Sequence, residues 1–182
     1  MYRLFVAVDL PEEIRTEAAD IAKTLQGGRR GPQEQLHLTL RFIGEADYKT
    51  LHAVKAALKE ILGHSFPLVL RGLGHFPPRG LPRVLWVGIE ESVPLRELQR
   101  SVELALIGAG IPPEERRFSP HLTLARLKDT PPGQVHALEQ HNRDFRAGPF
   151  LVTEFHLYSS TLTREGAIHT VAATYPLTAG QM

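Results

Sequence analysis

The chain carries the tetrapeptide His-Leu-Thr-Leu at two places, His37-Leu38-Thr39-Leu40 and His121-Leu122-Thr123-Leu124. On a strand, side chains alternate between faces, so each histidine shares a face with its threonine, and the leucines take the other. At a rise of roughly 3.3 Å per residue, the imidazole and the hydroxyl stand about 7 Å apart. Two imidazoles that titrate near neutrality can divide acid and base work. Two hydroxyls beside them can donate to a developing oxyanion. Such a set contains no protein nucleophile and requires no metal. It suits proton-managed transfer at phosphorus, with a strained cyclic phosphodiester as the easiest substrate.

One such segment alone reads as an ordinary half-buried strand. An identical tetrapeptide at two distant points, each in a strand-like context, points to a shared site. His37 and His121 stand 84 positions apart, close to half of the 182 residues.

The flanking pattern supplies elements to position these strands. Residues 3–9 read as a first strand. A helix follows from Pro11, with Ile14, Ala18, Ile21 and Leu25 at helical spacing and Gly27-Gly28 as its stop. The first motif strand runs from about Leu36 to Ile43, and Arg41 is expected to continue its His37/Thr39 face. Asp47 is placed to cap a helix bearing Leu51, Val54, Leu58 and Ile61 or Leu62. Strands are expected over 66–73 and 83–89, with a proline- and glycine-rich loop between them. The single tryptophan, Trp86, is expected to pack in the core, with stacking on a nucleobase as the lesser alternative. A third helix carries Leu95, Leu98, Val102, Ala105 or Leu106, and Ala109, and ends at Gly110. The second motif strand covers about 118–127, a short helix carries Val135 and Leu138, and long strands at 150–160 and 168–177 close the chain. The order β-α-β-α-β-β-α-β-α-β-β points to an internal duplication. The fold expected is α+β, two pseudo-symmetric lobes with mainly antiparallel sheets flanked by helices, and a central cleft carrying both His-x-Thr strands. Residues 1–182 make one bilobal domain.

Composition narrows the class. Hydrophobic residues make up 42% and charged residues 23%, a globular balance, and the net charge is only +1. No global field draws the chain to nucleic acid or membrane. The arginines Arg29-Arg30, Arg79, Arg83 and Arg116-Arg117 fall in stretches that read as loops, where a guanidinium grips phosphate or simply faces water. There is no cysteine, so disulfides, zinc-thiolate sites and cysteine nucleophiles are excluded. No apolar run reaches the roughly 20 residues of a membrane span. Residues 1–9 read as a strand, not a signal peptide, and the cytoplasm is the expected location.

Other chemistries lack their motifs. There is no Gly-x-Ser-x-Gly elbow, no Walker loop and no Gly-x-Gly-x-x-Gly. His52, His64 and His75 are not spaced as metal ligands, and His136 and His141 fall on different faces of a helix. His156 and His169 lie in late strands. None of these seven is expected to act in catalysis.

The stretch from Phe118 through Ser119, Pro120 and the second motif to Ala125-Arg126, taken with His37-Leu38-Thr39-Leu40-Arg41-Phe42-Ile43-Gly44-Glu45, closely resembles the bacterial and archaeal RNA 2′,3′-cyclic phosphodiesterases. These are also called 2′-5′ RNA ligases and belong to the two-histidine phosphoesterase superfamily. The resemblance extends from Arg3-Leu4-Phe5-Val6-Ala7-Val8 through Arg83-Val84-Leu85-Trp86-Val87-Gly88 to Leu157-Tyr158-Ser159-Ser160. It implies hydrolysis of a ribose 2′,3′-cyclic phosphate to a 2′-phosphomonoester without metal, ATP or other cofactor. It implies that His37 protonates the leaving 3′ oxygen, that His121 activates water, and that Thr39 and Thr123 bind the phosphoryl oxygens. Residue physics alone leaves the acid and base roles open. Arg126 resembles a phosphate-contacting arginine of the family, and Arg41 is a further candidate for substrate binding. Ideal alternation sets Arg126 opposite His121, so a strand end or bulge must turn it. The family often has an aromatic where His169 falls. The expected partner is RNA with a 2′,3′-cyclic phosphate end, tRNA fragments included, acted on by a monomer that also performs weak reverse 2′-5′ joining. Rival readings are a phosphoesterase for a small cyclic nucleotide or a 2′-5′ oligoadenylate, and a non-catalytic RNA-binding module.

Overall fold

The computed structural model describes residues 1–180. Eight strands and four helices follow in the order β1 (Tyr2–Asp9), α1 (Glu12–Ile21), β2 (His37–Ala46), α2 (Tyr48–Lys59), β3 (Phe66–Phe76), β4 (Val84–Ile89), α3 (Val93–Gly108), β5 (His121–Arg126), α4 (Pro132–His141), β6 (Arg146–Val152), β7 (Glu154–Thr163) and β8 (Gly166–Pro176). A single 3-10 turn, Gln33–Gln35, leads into β2.

The strands form two antiparallel sheets, ordered β2-β1-β7-β8 and β5-β4-β3-β6. The orders match position by position: a histidine strand at the edge, then the strand that pairs with it. The edges β2 and β5 touch each other. Helices α2 and α3 pack together and against β2, while α1 meets β6 and α4 meets β3.

The apolar stripes drive this packing. Leu51, Val54 and Leu58 of α2 are buried, as are Leu95, Leu98, Val102 and Leu106 of α3. Each such side chain contributes about 1.5–3 kcal/mol when taken from water. Leu38, Leu40, Leu122 and Leu124 join the same continuous core, so the motif leucines anchor both strands as their alternation predicts. Asp47 caps α2 by accepting a hydrogen bond from the Thr50 N–H, and Ser92 does the same for α3 from the Leu95 N–H.

The carboxy-terminal region departs from expectation. The strand expected at 150–160 is two strands in two sheets. β6 pairs with β3, the chain steps across at Thr153, and β7 pairs with β1 and β8. Both strands are β-prone, and the step between them leaves no mark in composition. The first helix also stops at Ile21, short of Leu25.

Candidate active site

Strand β2 pairs with β1 so that Asp9 faces His37, Ala7 faces Thr39 and Phe5 faces Phe42. Strand β5 pairs with β4 in the same way: Gly88 faces His121, Trp86 faces Thr123 and Val84 faces Arg126. In each ladder the register shifts by one residue after the motif threonine. Two residues then oppose one, which is a bulge. Leu40 and Arg41 are both buried in consequence, as are Leu124 and Ala125.

The bulges decide where the two arginines go. Arg41 does not continue the His37/Thr39 face. Its guanidinium is tucked under the strand, where Nε lies 2.6 Å from a Glu103 carboxylate oxygen of α3 and the other nitrogens donate to the carbonyls of Phe42 and Pro112. The extra residue overturns simple alternation, and Phe42 takes the place on the histidine face. Arg126 is the counterpart of Phe42 and is turned onto the His121 face. The cross-strand row confirms it: Arg126 pairs with Val84, Val84 pairs with Phe76, and the Phe76 ring sits 5.1 Å from the His121 ring.

Both imidazoles are held alike. His37 Nδ1 lies 2.6 Å from the carbonyl oxygen of Gln35, and His121 Nδ1 lies 2.7 Å from that of Ser119, two residues earlier in each case. A carbonyl only accepts, so each Nδ1 carries the hydrogen and each Nε2 is left for chemistry. Both histidines and both threonines are half-buried. A backbone carbonyl has no residue type, so no sequence signal marks this pair of contacts.

The surroundings of the two rings differ. His37 stacks on Phe5 at 4.9 Å between ring centres, and Phe5 in turn stacks on Phe42 and Tyr158. His169 meets the His37 ring edge-on at 5.3 Å and lies 3.2 Å from Ser160 Oγ. His169, in the first half of β8, thus lies against the first motif, and its backbone N–H donates to Gln35 Oε1 at 2.7 Å. Burial lowers the His37 pKa, opposed by the Gln35 carbonyl and by the charge of Asp9. His169 is lowered by burial and then by the charge of His37.

Asp9 accepts a hydrogen bond from the Tyr158 hydroxyl and lies 3.3 Å from His156 Nε2. Burial, and then this bond to the carboxylate, push the Tyr158 phenol above its usual range. In the other sheet, Trp86 is not a core residue as expected. It is half-buried, with its ring centre 6.3 Å from that of His121. Its ring lies on Gly74, where a Cβ would come within 2.2 Å of it. Phe76 closes the other approach at 5.3 Å. Strand pairing brings these aromatics together from distant segments.

Among the described residues no group of three or more His, Cys, Asp or Glu side chains is arranged to hold a metal ion, and no helix is long and apolar enough to cross a membrane. What the arrangement offers is two outward Nε2 atoms, two hydroxyls on the same faces and one exposed guanidinium.

Comparison with known proteins places this geometry in context. The family model for the 2′-5′ RNA ligase superfamily matches residues 10–164. The RNA 2′,3′-cyclic phosphodiesterase of Archaeoglobus fulgidus is 35% identical over 170 residues, covering 92% of this chain and 96% of that protein. The protein of the same name from Thermus thermophilus is 36% identical over 197 aligned positions, covering 96% and 90%. Among solved structures, one of a Thermus thermophilus protein superposes with a TM-score of 0.80 at 31% identity, covering 98% of this chain and 100% of its own. E. coli LigT complexed with 3′-AMP superposes with a TM-score of 0.78 at 28% identity, covering 97% and 98%.

Proposed function

The chain belongs to the 2′-5′ RNA ligase superfamily, and from that premise we propose that it hydrolyses RNA 2′,3′-cyclic phosphodiester ends to 2′-phosphomonoesters by paired-histidine acid and base catalysis. The observation that carries this reading is the matched pair of Nδ1–H···O=C contacts at Gln35 and Ser119, which leaves one free Nε2 in each motif. The relatives named RNA 2′,3′-cyclic phosphodiesterase support the substrate class.

In this reading His121 Nε2 takes a proton from water as its oxygen attacks phosphorus. The P–O3′ bond breaks, and the proton on His37 Nε2 passes to the departing 3′ oxygen. The Thr39 and Thr123 hydroxyls donate to the non-bridging oxygens, whose charge grows in the transition state. Arg126 adds positive charge beside Thr123. Relief of ring strain supplies part of the driving force. A 5′-hydroxyl that attacks phosphorus in place of water, with the same loss of the 3′ oxygen, gives weak 2′-5′ joining.

A second reading exchanges the two histidines, and one observation favours it. Burial holds His37 below the ordinary imidazole value, which suits a base in the free protein. A bound phosphate anion opposes that bias, because a negative charge near the ring stabilises imidazolium.

The test is incubation with an oligoribonucleotide ending in 2′,3′-cyclic phosphate, beside a cyclic mononucleotide and a 2′-5′ oligoadenylate. A terminal 2′-phosphate from the cyclic ends is the expected product. A 3′-phosphate product, or cleavage of the oligoadenylate alone, would bring the reading down.

A further inference from the structure

In the order β2-β1-β7-β8, the strands β2 and β8 are the two edges of one sheet, and β8 has a neighbour on one side only. The sheet curves so far that the chain entering β2 meets the opposite edge. Gln35, the last residue of the 3-10 turn, makes the connection. Its Nε2 donates to the Ala167 carbonyl at 2.9 Å, and the His169 N–H donates to its Oε1 at 2.7 Å. One partner only accepts and the other only donates, so the carboxamide can face one way only. It carries the same donor and acceptor as a peptide group, and it takes places on the open edge that a further strand would fill.

The backbone of the same residue holds the imidazole. The Gln35 carbonyl accepts from His37 Nδ1–H at 2.6 Å. A 3-10 turn of three residues is a weak platform by itself, because its i→i+3 bonds are poorly aligned. Residues 26–32 ahead of it are exposed. A second side-chain tie of the turn, Gln33 Nε2 to Thr16 Oγ1 at 2.7 Å, is exposed as well. The half-buried carboxamide of Gln35 therefore fixes the peptide whose oxygen meets the ring.

The other half of the site lacks this support. Ser119, which supplies the matching carbonyl to His121, carries a single hydroxyl in place of a carboxamide. The two imidazoles share the tether but not what steadies it. The tether matters because an unheld neutral imidazole distributes its hydrogen over both nitrogens, and a ring that carries it on Nε2 has no lone pair there to take a proton.

Building on the proposed activity, we infer that Gln35 is a positioning residue: its carboxamide locks the 3-10 turn to the edge of β8 and thereby fixes the ring orientation and the Nδ1–H tautomer of His37, leaving His121 independent of it. Gln35 acts through His37 and not on the reacting phosphate.

The experiment compares wild type with three variants. Gln35→Met keeps the bulk and removes both bonds, Gln35→Asn keeps an amide one methylene too short to reach both groups, and Gln33→Met removes the exposed tie to Thr16 as a control. Heteronuclear NMR of nitrogen-labelled imidazoles, at a pH above the ring titrations, reads the tautomers of His37 and His121 in one spectrum, and steady-state kinetics on the 2′,3′-cyclic phosphate follows. In both Gln35 variants His37 should pass from the Nδ1–H form to a mixture, while His121 keeps it. Their kcat should fall roughly 10-fold with KM little changed, less than the roughly 10²–10⁴-fold worth of an acid or base itself. Gln33→Met should change neither. An unchanged His37 tautomer in both Gln35 variants, or an equal loss in Gln33→Met, overturns the role while the activity stands. Loss of the tautomer at both histidines marks a general loosening and overturns it too. If wild type turns over no cyclic phosphate yet Gln35→Met still frees the His37 hydrogen, the positioning stands and the activity reading fails.

Discussion

Asp9 stands directly across the β1–β2 ladder from His37, and at the matching place in the other sheet Gly88 stands across from His121. The two halves of the site share one strand register and one imidazole tether. At this cross-strand place they differ by one carboxylate, that of Asp9. Its negative charge favours the imidazolium form of His37, against the larger effect of burial. Asparagine at position 9 removes that charge, so the His37 pKa should fall further. With His37 as the acid, activity is lost as pH rises through its pKa, so the alkaline limb of the kcat/KM profile should move to lower pH in Asp9→Asn. Proton NMR of the imidazoles across the same range checks the assignment, since the limbs alone are macroscopic values. An unmoved limb and an unmoved ring titration would show that Asp9 acts only through Tyr158 and His156.

Thr39→Val and Thr123→Val should each lower turnover by about 10–10³-fold, bracketing the loss of one oxyanion donor. Valine suits a strand, so the circular dichroism spectrum should be retained. Full activity in both variants would make these hydroxyls ordinary strand threonines.

Alanine at His37 or His121 should cost roughly 10²–10⁴-fold on the cyclic phosphate. A diester with an activated phenol as leaving group needs little protonation on departure, yet its attacking water must still lose a proton. His37→Ala should therefore regain much of its rate on that substrate, and His121→Ala should not. Rescue of His121→Ala instead would establish the exchanged roles.

Arg41 tests the bulge. Removing one partner of a buried ion pair costs about 3–5 kcal/mol, so Arg41→Ala should shift the urea midpoint strongly downward. The KM for the cyclic substrate should change little. A large rise in KM with unchanged stability would return Arg41 to the substrate.

Turnover should survive exhaustive chelation, because the proposed steps are proton transfers between imidazoles, water and a sugar oxygen. Loss in EDTA that a divalent ion restores would sink the mechanism.

Much of this was legible in the chain. The helical stripes and the Asp47 cap are local patterns, and the motif leucines report burial through simple alternation. The bulges were not legible for Arg41, because an extra residue in a strand changes facing without changing composition. They also explain why Arg126, on the wrong side by alternation, reaches the His121 face. Trp86 was misplaced for another reason: the rings it meets, Phe76 and His121, come from other strands. The contact of His169 with His37 was hidden in the same way, across strands distant in sequence. The carbonyls of Gln35 and Ser119 carry no side-chain signature at all.

The step at Thr153 makes one half of the site late. Sheet β5-β4-β3-β6 is complete once residue 152 exists, whereas β1 waits for β7, and β7 for β8, before its own sheet can close. During synthesis from the amino end, the strands around His121 are therefore available as a set well before those around His37. A chain released near position 153 holds every strand of the His121 sheet, while its β1 lacks β7 and shows an unpaired edge to any strand that passes.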